Sequence, residues 1–109
     1  MPMSRQATRL LLWLSVCLAL ADANAGESSP DAARLTDLVR QDCGSCHGLT
    51  LKGGLGKPLT TEALRGWDRD QIVHIILYGV PGTPMPPWRA LLSESDARWI
   101  ADQLKQESR

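Results

Sequence analysis

The sequence predicts an all-α domain in which three to four helices are joined by loops rich in glycine and proline. Apolar residues recur at intervals of three and four in several segments, the spacing of one helix face. Two of these segments open with the residue pattern of a capping box. No segment shows the strict apolar–polar alternation that indicates a half-buried strand.

The first helix is predicted to begin at Ser29-Pro30-Asp31 and to run straight into a cysteine motif. Ser29 offers a capping hydroxyl, Pro30 suits the first turn, and Asp31 places an acid near the positive end of the helix dipole. Apolar residues follow at helical spacing, namely Leu35, Leu38 and Val39.

The middle of the chain predicts a short second helix and a better marked third one. Thr60-Thr61-Glu62 starts the short helix, which Gly66 ends. In the third helix Asp68 is the N-cap, Gln71 completes a capping box, and Trp67 is expected to pack on Ile72 as a hydrophobic staple. The predicted apolar residues of the third helix are Ile72, Ile75, Ile76 and Leu77, and Gly79 is the expected left-handed stop.

The last helix opens with a second capping box, from Ser93 to Asp96. Its predicted buried face consists of Ala97, Ile100, Ala101 and Leu104. Trp99 lies nearly opposite this face on a helical wheel. It is expected either to pack against a loop or to be exposed as a docking residue.

The N-terminus predicts a secretory signal peptide. Arg5 and Arg9 precede an apolar run from Leu10 to Ala21, and Ala23-Asn24-Ala25 is a small-x-small cleavage site. The run is shorter than the roughly 20 residues of a membrane span. We therefore expect a leader over 1–25, a short tail over 26–30, a single domain over 31–107, and no membrane span after cleavage. Val16 makes Cys17 a poor lipidation site.

Cys43-Gly44-Ser45-Cys46-His47 is the attachment signature of c-type haem. The two thiols form thioethers with the haem vinyl groups, and the adjacent histidine becomes the proximal iron ligand. A thioredoxin-like pair would need a βαβ pattern, and a tetrahedral zinc site would need a second Cys or His pair. The motif predicts one covalent haem c per chain, held by Cys43 and Cys46, with His47 on the iron.

Two loops are expected to complete the haem site. Gly53 to Pro58 predicts a strap beside the proximal histidine, in which the carbonyl of Lys57 or Pro58 accepts from His47 Nδ1; the alternative is an exposed turn. In the second loop, from Gly79 to Trp88, prolines flank Met85. The stiff backbone suits a weak thioether ligand, so Met85 is predicted as the sixth iron ligand, the alternative being a gap-filling core methionine.

Three further side chains have candidate roles at the haem. Trp67 could reach a haem propionate through its indole N–H, and Trp88 is expected to pack over the haem edge. His74 is the competing sixth ligand, although a lone histidine among apolar neighbours is more often structural. After leader cleavage, 10 basic and 11 acidic side chains remain, and this balance excludes a nucleic-acid footprint.

The order of these elements resembles a class I monohaem cytochrome c over nearly all of 31–106. The stretches 43–56 and 79–94 are similar, more narrowly, to small periplasmic cytochromes of the c-55X type from denitrifying proteobacteria. Many class I cytochromes place Gly directly before the strap proline, where this chain has Lys57.

The resemblance implies a periplasmic electron carrier rather than an enzyme. Its implied partners are periplasmic redox proteins, above all the nitrite reductase containing haem c and haem d, together with the haem-attachment machinery. A role in maturing the haem d cofactor is the alternative, as is a haem enzyme or a redox-sensing subunit.

Overall fold

The computed structural model describes residues 29–106. The elements in chain order are α1 (Ala32–Leu38), the π-helical segment π1 (Val39–Cys43), α2 (Gly44–His47), α3 (Arg69–Tyr78) and α4 (Glu94–Gln106). Residues 29–106 contain no strand, so the all-α prediction is confirmed. The predicted signal peptide, its cleavage site and Cys17 lie outside the described residues.

The first helical stretch runs without a break from α1 through π1 into α2, as predicted. Its N-cap differs from the prediction, because Asp31 and not Ser29 occupies that position. The Asp31 carboxylate accepts a hydrogen bond of 3.0 Å from the backbone N–H of Arg34. A carboxylate is the stronger acceptor for these free N–H groups, which moves the start of the helix past Pro30.

The π-helical segment, which was not predicted, lies in the middle of the first helical stretch. Leu35 and Val39 are buried four residues apart, and the next buried residue is Gly44, five residues further on. A π-turn adds one residue to a turn. Gly44 is buried beside Leu49, and Cys43, although only half-buried, also packs against the core.

The predicted short second helix is wrong. Residues 61–66 form successive turns in which Leu64 donates to the carbonyl of Thr60 and Trp67 to that of Leu64. The mixed i−4 and i−3 bonds do not propagate a regular helix. The Lys105 ammonium from α4 also donates to the carbonyls of Leu64 and Trp67, which ties these turns to the last helix.

Both predicted capping boxes are confirmed. At α3 the Asp68 carboxylate accepts from Gln71 N–H at 2.8 Å, and the Gln71 side chain accepts from Asp68 N–H at 3.0 Å. At α4 Ser93 and Asp96 make the reciprocal pair at 3.0 and 3.1 Å. These bonds satisfy N–H groups that a helix start leaves free.

The core lies between α1, α3 and α4. All four residues predicted for the buried face of α4 are buried. On α3, Ile72 and Leu77 are buried as predicted, but Val73 shares that face while Ile75 and Ile76 are only half-buried. The core consists of Leu35, Val39, Leu51, Leu64, Ile72, Val73, Leu77, Leu92, Ala97, Ile100, Ala101 and Leu104.

Ion pairs join the helices around this core. Arg34 on α1 binds Asp96 of α4 at 3.0 Å. Two further pairs bridge α3 and α4, Arg69 with Asp102 at 2.6 Å and Arg98 with Asp70 at 2.9 Å. Within residues 29–106, no helix is both long enough and apolar enough to cross a bilayer.

Candidate functional site

Two thiols and an imidazole lie together at the end of the first helical stretch. Cys43 ends π1, and Cys46 and His47 lie in α2. Positions three and four apart on a helix are neighbours, so Cys46 and His47 both lie one turn beyond Cys43. Both cysteines are half-buried free thiols. We call residues 43–47 the attachment motif.

The environment of Cys43 is unlike that of a catalytic or zinc-binding thiol. Burial and the nearby charge of Asp42 raise the pKa of the Cys43 thiol to about 11. Reactive and metal-binding cysteines have a lowered pKa, because the thiolate is the active form. Within the described part of the chain, no three His, Cys, Asp or Glu side chains cluster as a metal site would require. Both observations disfavour the thioredoxin-like and zinc interpretations.

A backbone carbonyl lies within hydrogen-bonding distance of the His47 imidazole. Its Nδ1 lies 2.7 Å from the carbonyl oxygen of Lys57. The sequence left Lys57 and Pro58 open as acceptors, and the structure assigns Lys57. When Nδ1–H donates to this oxygen, Nε2 keeps its lone pair, the form of histidine that binds a metal.

The strap loop, which we define as residues 48–59, is pinned to the attachment motif. Gly53 N–H donates to the His47 carbonyl at 2.8 Å, and Gly56 N–H donates to the Cys46 carbonyl at 2.7 Å. A Cβ at Gly56 would lie 2.7 Å from His47 Nδ1, so only glycine allows this approach. The predicted close contact is therefore present, and the alternative of an exposed turn is wrong for Gly56.

Pro58 is not the hydrogen-bonding partner of His47. Its ring lies against Gly53, where an added Cβ would be 3.4 Å from the proline Cγ. Pro58 thus directly follows Lys57, whose carbonyl supports His47, and its ring packs against Gly53 within the strap loop.

Met85 is held in a second rigid loop, residues 79–88, which we call the methionine loop. Its carbonyl accepts from Val80 N–H at 3.2 Å, and its N–H donates to the Thr83 hydroxyl at 3.3 Å. The Thr83 hydroxyl in turn donates to the Val80 carbonyl at 2.7 Å. Met85 itself is half-buried. Sequence reasoning missed Thr83, although a threonine two residues before Met85 could have suggested this turn.

The last residue of the methionine loop and the residue after it form hydrogen bonds with the C-terminal turn of α3. Trp88 N–H donates to the Ile76 carbonyl at 3.0 Å, and Arg89 N–H donates to the Leu77 carbonyl at 3.2 Å. These bonds satisfy carbonyls that the last helical turn leaves free. Residues 29–106 show no hydrogen bond between this loop and the attachment motif.

The tryptophans lie in different surroundings. Trp88 is half-buried against the core, whereas Trp67 is 42% exposed and lines an open groove of about 410 Å³ with His74 and Ile75. Ile72, the predicted staple partner of Trp67, is buried in the core and does not line this groove.

Trp99 and His74 also have defined neighbours. Trp99 is half-buried beside Leu49 and Leu51, as one of the two predicted alternatives requires. His74 is exposed, and its ring centre lies 4.8 Å from that of Tyr78.

Comparison with known proteins identifies the family. The family described as cytochrome C oxidase, cbb3-type, subunit III matches residues 30–103. The chain is 56% identical over 94 residues to cytochrome c55X of Paracoccus denitrificans, covering 84% of this chain and 91% of that protein. It is 52% identical over 108 residues to cytochrome c55X of Pseudomonas aeruginosa, covering 94% of this chain and 91% of that protein. The chain belongs to the cytochrome c55X family.

A solved structure agrees with this assignment. The c-type cytochrome NirC superposes with a TM-score of 0.70 at 56% identity, covering 72% of this chain and 96% of that one. The chain therefore has the class I cytochrome c fold, and its cofactor is haem c. As a c-type cytochrome of this family it is an electron-transfer protein.

A larger enzyme contains a related domain. Dihydro-heme d1 dehydrogenase of Pseudomonas aeruginosa is 35% identical over 97 residues, which is 88% of this chain but only 19% of that enzyme. A structure of dihydro-heme d1 dehydrogenase NirN in complex with DHE superposes with a TM-score of 0.63 at 33% identity, covering 68% of this chain and 16% of that one.

Proposed function

We propose that the protein is a one-electron carrier whose haem c is bonded to Cys43 and Cys46 and ligated by His47 and Met85. The observation that carries this assignment is the 2.7 Å contact between His47 Nδ1 and the Lys57 carbonyl. It orients the His47 imidazole in the same short motif as two half-buried free thiols. That donor set suits thioether attachment and axial ligation.

The protein's residues hold the redox centre still. Haem c, when bound, supplies an iron that gains or loses one electron. Cys43 and Cys46 tether the porphyrin, and the Lys57 carbonyl keeps His47 oriented and basic. The Met85 thioether favours the ferrous state and raises the reduction potential. Because the strap and methionine loops are both pinned by hydrogen bonds, little rearrangement accompanies electron transfer.

We further propose that the carrier works in the periplasm and donates electrons to the nitrite reductase containing haem c and haem d. The predicted leader over 1–25 supports export, after which the haem-attachment machinery would form the thioethers. The similarity to cytochrome c55X proteins, among them one from a species named for denitrification, supports this acceptor. Docking would be transient and small in area.

A role in haem d maturation is the second candidate function. It is favoured by the 35% identity to a dihydro-heme d1 dehydrogenase, an enzyme in which a domain like this one accompanies haem d1 chemistry. In that role the chain would still carry single electrons, but it would exchange them with a maturation enzyme.

Stopped-flow oxidation of the reduced, periplasm-matured protein by the haem c/haem d nitrite reductase separates the two roles. We expect transfer at least as fast as nitrite turnover. Transfer slower than turnover would move the function to maturation. The mass of the same preparation must include one haem, and Cys43→Ser/Cys46→Ser, which cannot form thioethers, is its control. A wild-type mass equal to the bare polypeptide would contradict the whole proposal.

A further inference from the structure

Leu55, at the tip of the strap loop, is the most exposed large apolar side chain in the described residues. It is 93% exposed. A single exposed leucine is ordinary on a protein surface. What sets this one apart is the backbone that carries it.

The backbone around Leu55 is fixed on both sides. Gly54 N–H donates to the Gly56 carbonyl at 3.0 Å across the tip, and Gly56 N–H donates to the Cys46 carbonyl at 2.7 Å. An added Cβ at Gly54 would lie 2.8 Å from the Cys46 carbonyl oxygen. The tip is therefore seated tightly on the attachment motif. A preformed apolar tip avoids most of the ordering cost that a flexible loop would pay on binding.

The charges of the strap loop indicate which kind of protein surface could bind at Leu55. The loop contains Lys52 and Lys57 and no acidic residue. Both lysines are exposed, and neither forms an ion pair with any of residues 29–106. An apolar tip between two such lysines is complementary to an apolar depression with an acidic rim.

The position of Leu55 also gives an electron a short path to His47, the proposed proximal iron ligand. The next residue, Gly56, lies against the His47 ring, and the residue after it supplies the carbonyl bonded to His47 Nδ1. A protein docked on Leu55 would thus lie two residues and one hydrogen bond from the proximal imidazole.

We propose that Leu55, flanked by Lys52 and Lys57, is the docking anchor for an acidic one-electron acceptor protein. One electron leaves the ferrous iron, which becomes ferric, and reduces the metal centre of the acceptor; no proton or atom is transferred. The inference rests on the proposed electron-carrier function, and it adds where the partner binds and what chemistry its surface has.

The first test measures oxidation of the reduced holo-protein by plant plastocyanin, an acidic blue-copper protein used as the probe. We expect Leu55→Ser to lower the second-order rate constant about fivefold or more, the effect of losing an interface anchor. Hexacyanoferrate(III), a small oxidant, should oxidise the variant and wild type equally fast. Leu91→Ser, at another exposed leucine (68% exposed), is the matched control and should react like wild type.

A plastocyanin rate unchanged by Leu55→Ser, or lowered equally by Leu91→Ser, would overturn the proposal. So would an equal loss with hexacyanoferrate(III), which would show that the haem site itself is damaged. Sedimentation equilibrium tests whether a second copy of the chain, rather than an acceptor protein, binds to Leu55. A wild-type dimer that Leu55→Ser converts to monomer would make a second copy of the chain the ligand of Leu55 and would also overturn it.

The second test concerns the two lysines. In Lys52→Gln/Lys57→Gln the plastocyanin rate should fall at low salt and depend less steeply on ionic strength, because fewer charges steer the encounter. The Lys57 carbonyl is retained in this variant. Arg65→Gln, at an exposed cation outside the strap loop, should keep the wild-type salt dependence, and a lysine variant that also keeps it would contradict the proposal.

The two proposals fail in different measurements. If nitrite reductase does not oxidise the wild type but plastocyanin discriminates Leu55→Ser from Leu91→Ser, the acceptor assignment fails and the docking anchor stands. If nitrite reductase oxidises the wild type rapidly and plastocyanin shows no discrimination, the docking anchor fails and the carrier function stands.

Discussion

The Nδ1 atom of His47 lies 2.7 Å from the carbonyl oxygen of Lys57, ten residues further along the chain. The contact depends on Gly56, whose Cα lies so near the imidazole that a Cβ there would be 2.7 Å from Nδ1 and from Cε1. A backbone carbonyl thus fixes the orientation of the histidine predicted to bind iron, and a glycine makes room for that contact.

Gly56→Ala should disturb this arrangement without changing the donor set. The methyl group displaces the imidazole from the Lys57 carbonyl, so His47 becomes a less basic ligand and stabilises the ferric iron less. A tenfold loss of ferric stabilisation raises the reduction potential by about 60 mV. Redox titration of the holo-protein measures the shift. Gly66→Ala, where an added Cβ meets nothing within 4 Å, is the control and should keep the wild-type potential.

Met85→Ala should abolish the weak red-edge absorption band that methionine–iron bonding produces in the ferric protein. The reduction potential should also fall, because the thioether favours ferrous iron. Visible spectroscopy of the ferric holo-protein checks the band. His74→Ala tests the competing sixth ligand and should retain it. A wild-type ferric protein that lacks the band, with a visible spectrum that His74→Ala changes and Met85→Ala does not, would reverse the two ligand assignments.

Gly79→Ala should be more damaging than Gly82→Ala, although both glycines have positive φ, of 68° and 77°. A Cβ at Gly79 would lie 2.6 Å from the Met85 carbonyl oxygen, whereas one at Gly82 would meet nothing within 4 Å. Gly82→Ala therefore bears only the backbone cost of about 1–2 kcal/mol. Gly79→Ala adds a clash and should cost about 2–5 kcal/mol.

Urea unfolding of the two glycine variants measures this difference in the free energy of unfolding. The methionine–iron band should weaken in Gly79→Ala and persist in Gly82→Ala. Equal destabilisation of both would contradict a close approach of Gly79 to Met85.

Asp96→Asn should destabilise the protein at neutral pH and much less in acid. Burial alone would raise the pKa of Asp96, but hydrogen bonds from Ser93 and Arg34, together with the Arg34 charge, lower that pKa overall. The ionised carboxylate therefore stabilises the fold above the ordinary aspartate pKa of about 3.9, and this contribution is lost as the pH falls through the lowered value.

The expected loss in Asp96→Asn is about 1–2 kcal/mol at pH 7, from the weakened cap and the missing charged acceptor. Urea unfolding at pH 7 and below about pH 3.9 compares the variant with wild type. Asp70→Asn, which removes an exposed pair with Arg98, should cost less than about 1 kcal/mol. A difference between Asp96→Asn and wild type that stays constant with pH would contradict the assigned role of the carboxylate.

Local signals predicted the helices well where a side chain bonds to a backbone group a few residues away. The capping boxes at Asp68 and Ser93 are of this kind, and both are present. The same reasoning failed at residues 61–66, where the backbone bonds mix i−4 and i−3 spacing and Lys105, about forty residues later in the chain, binds the carbonyls of Leu64 and Trp67. It also chose Ser29 over Asp31, because both residues are good caps in isolation.

The amino-acid sequence by itself determined the helical class, the attachment motif, the two loops and the family, because each depends on spacing or on residue chemistry within a short stretch. The tertiary structure decided which carbonyl supports His47, which glycines lie too close to a neighbour for a Cβ, and that π1 interrupts the first helical stretch. These features depend on distances between residues that only the folded chain brings together, and no local propensity encodes such distances.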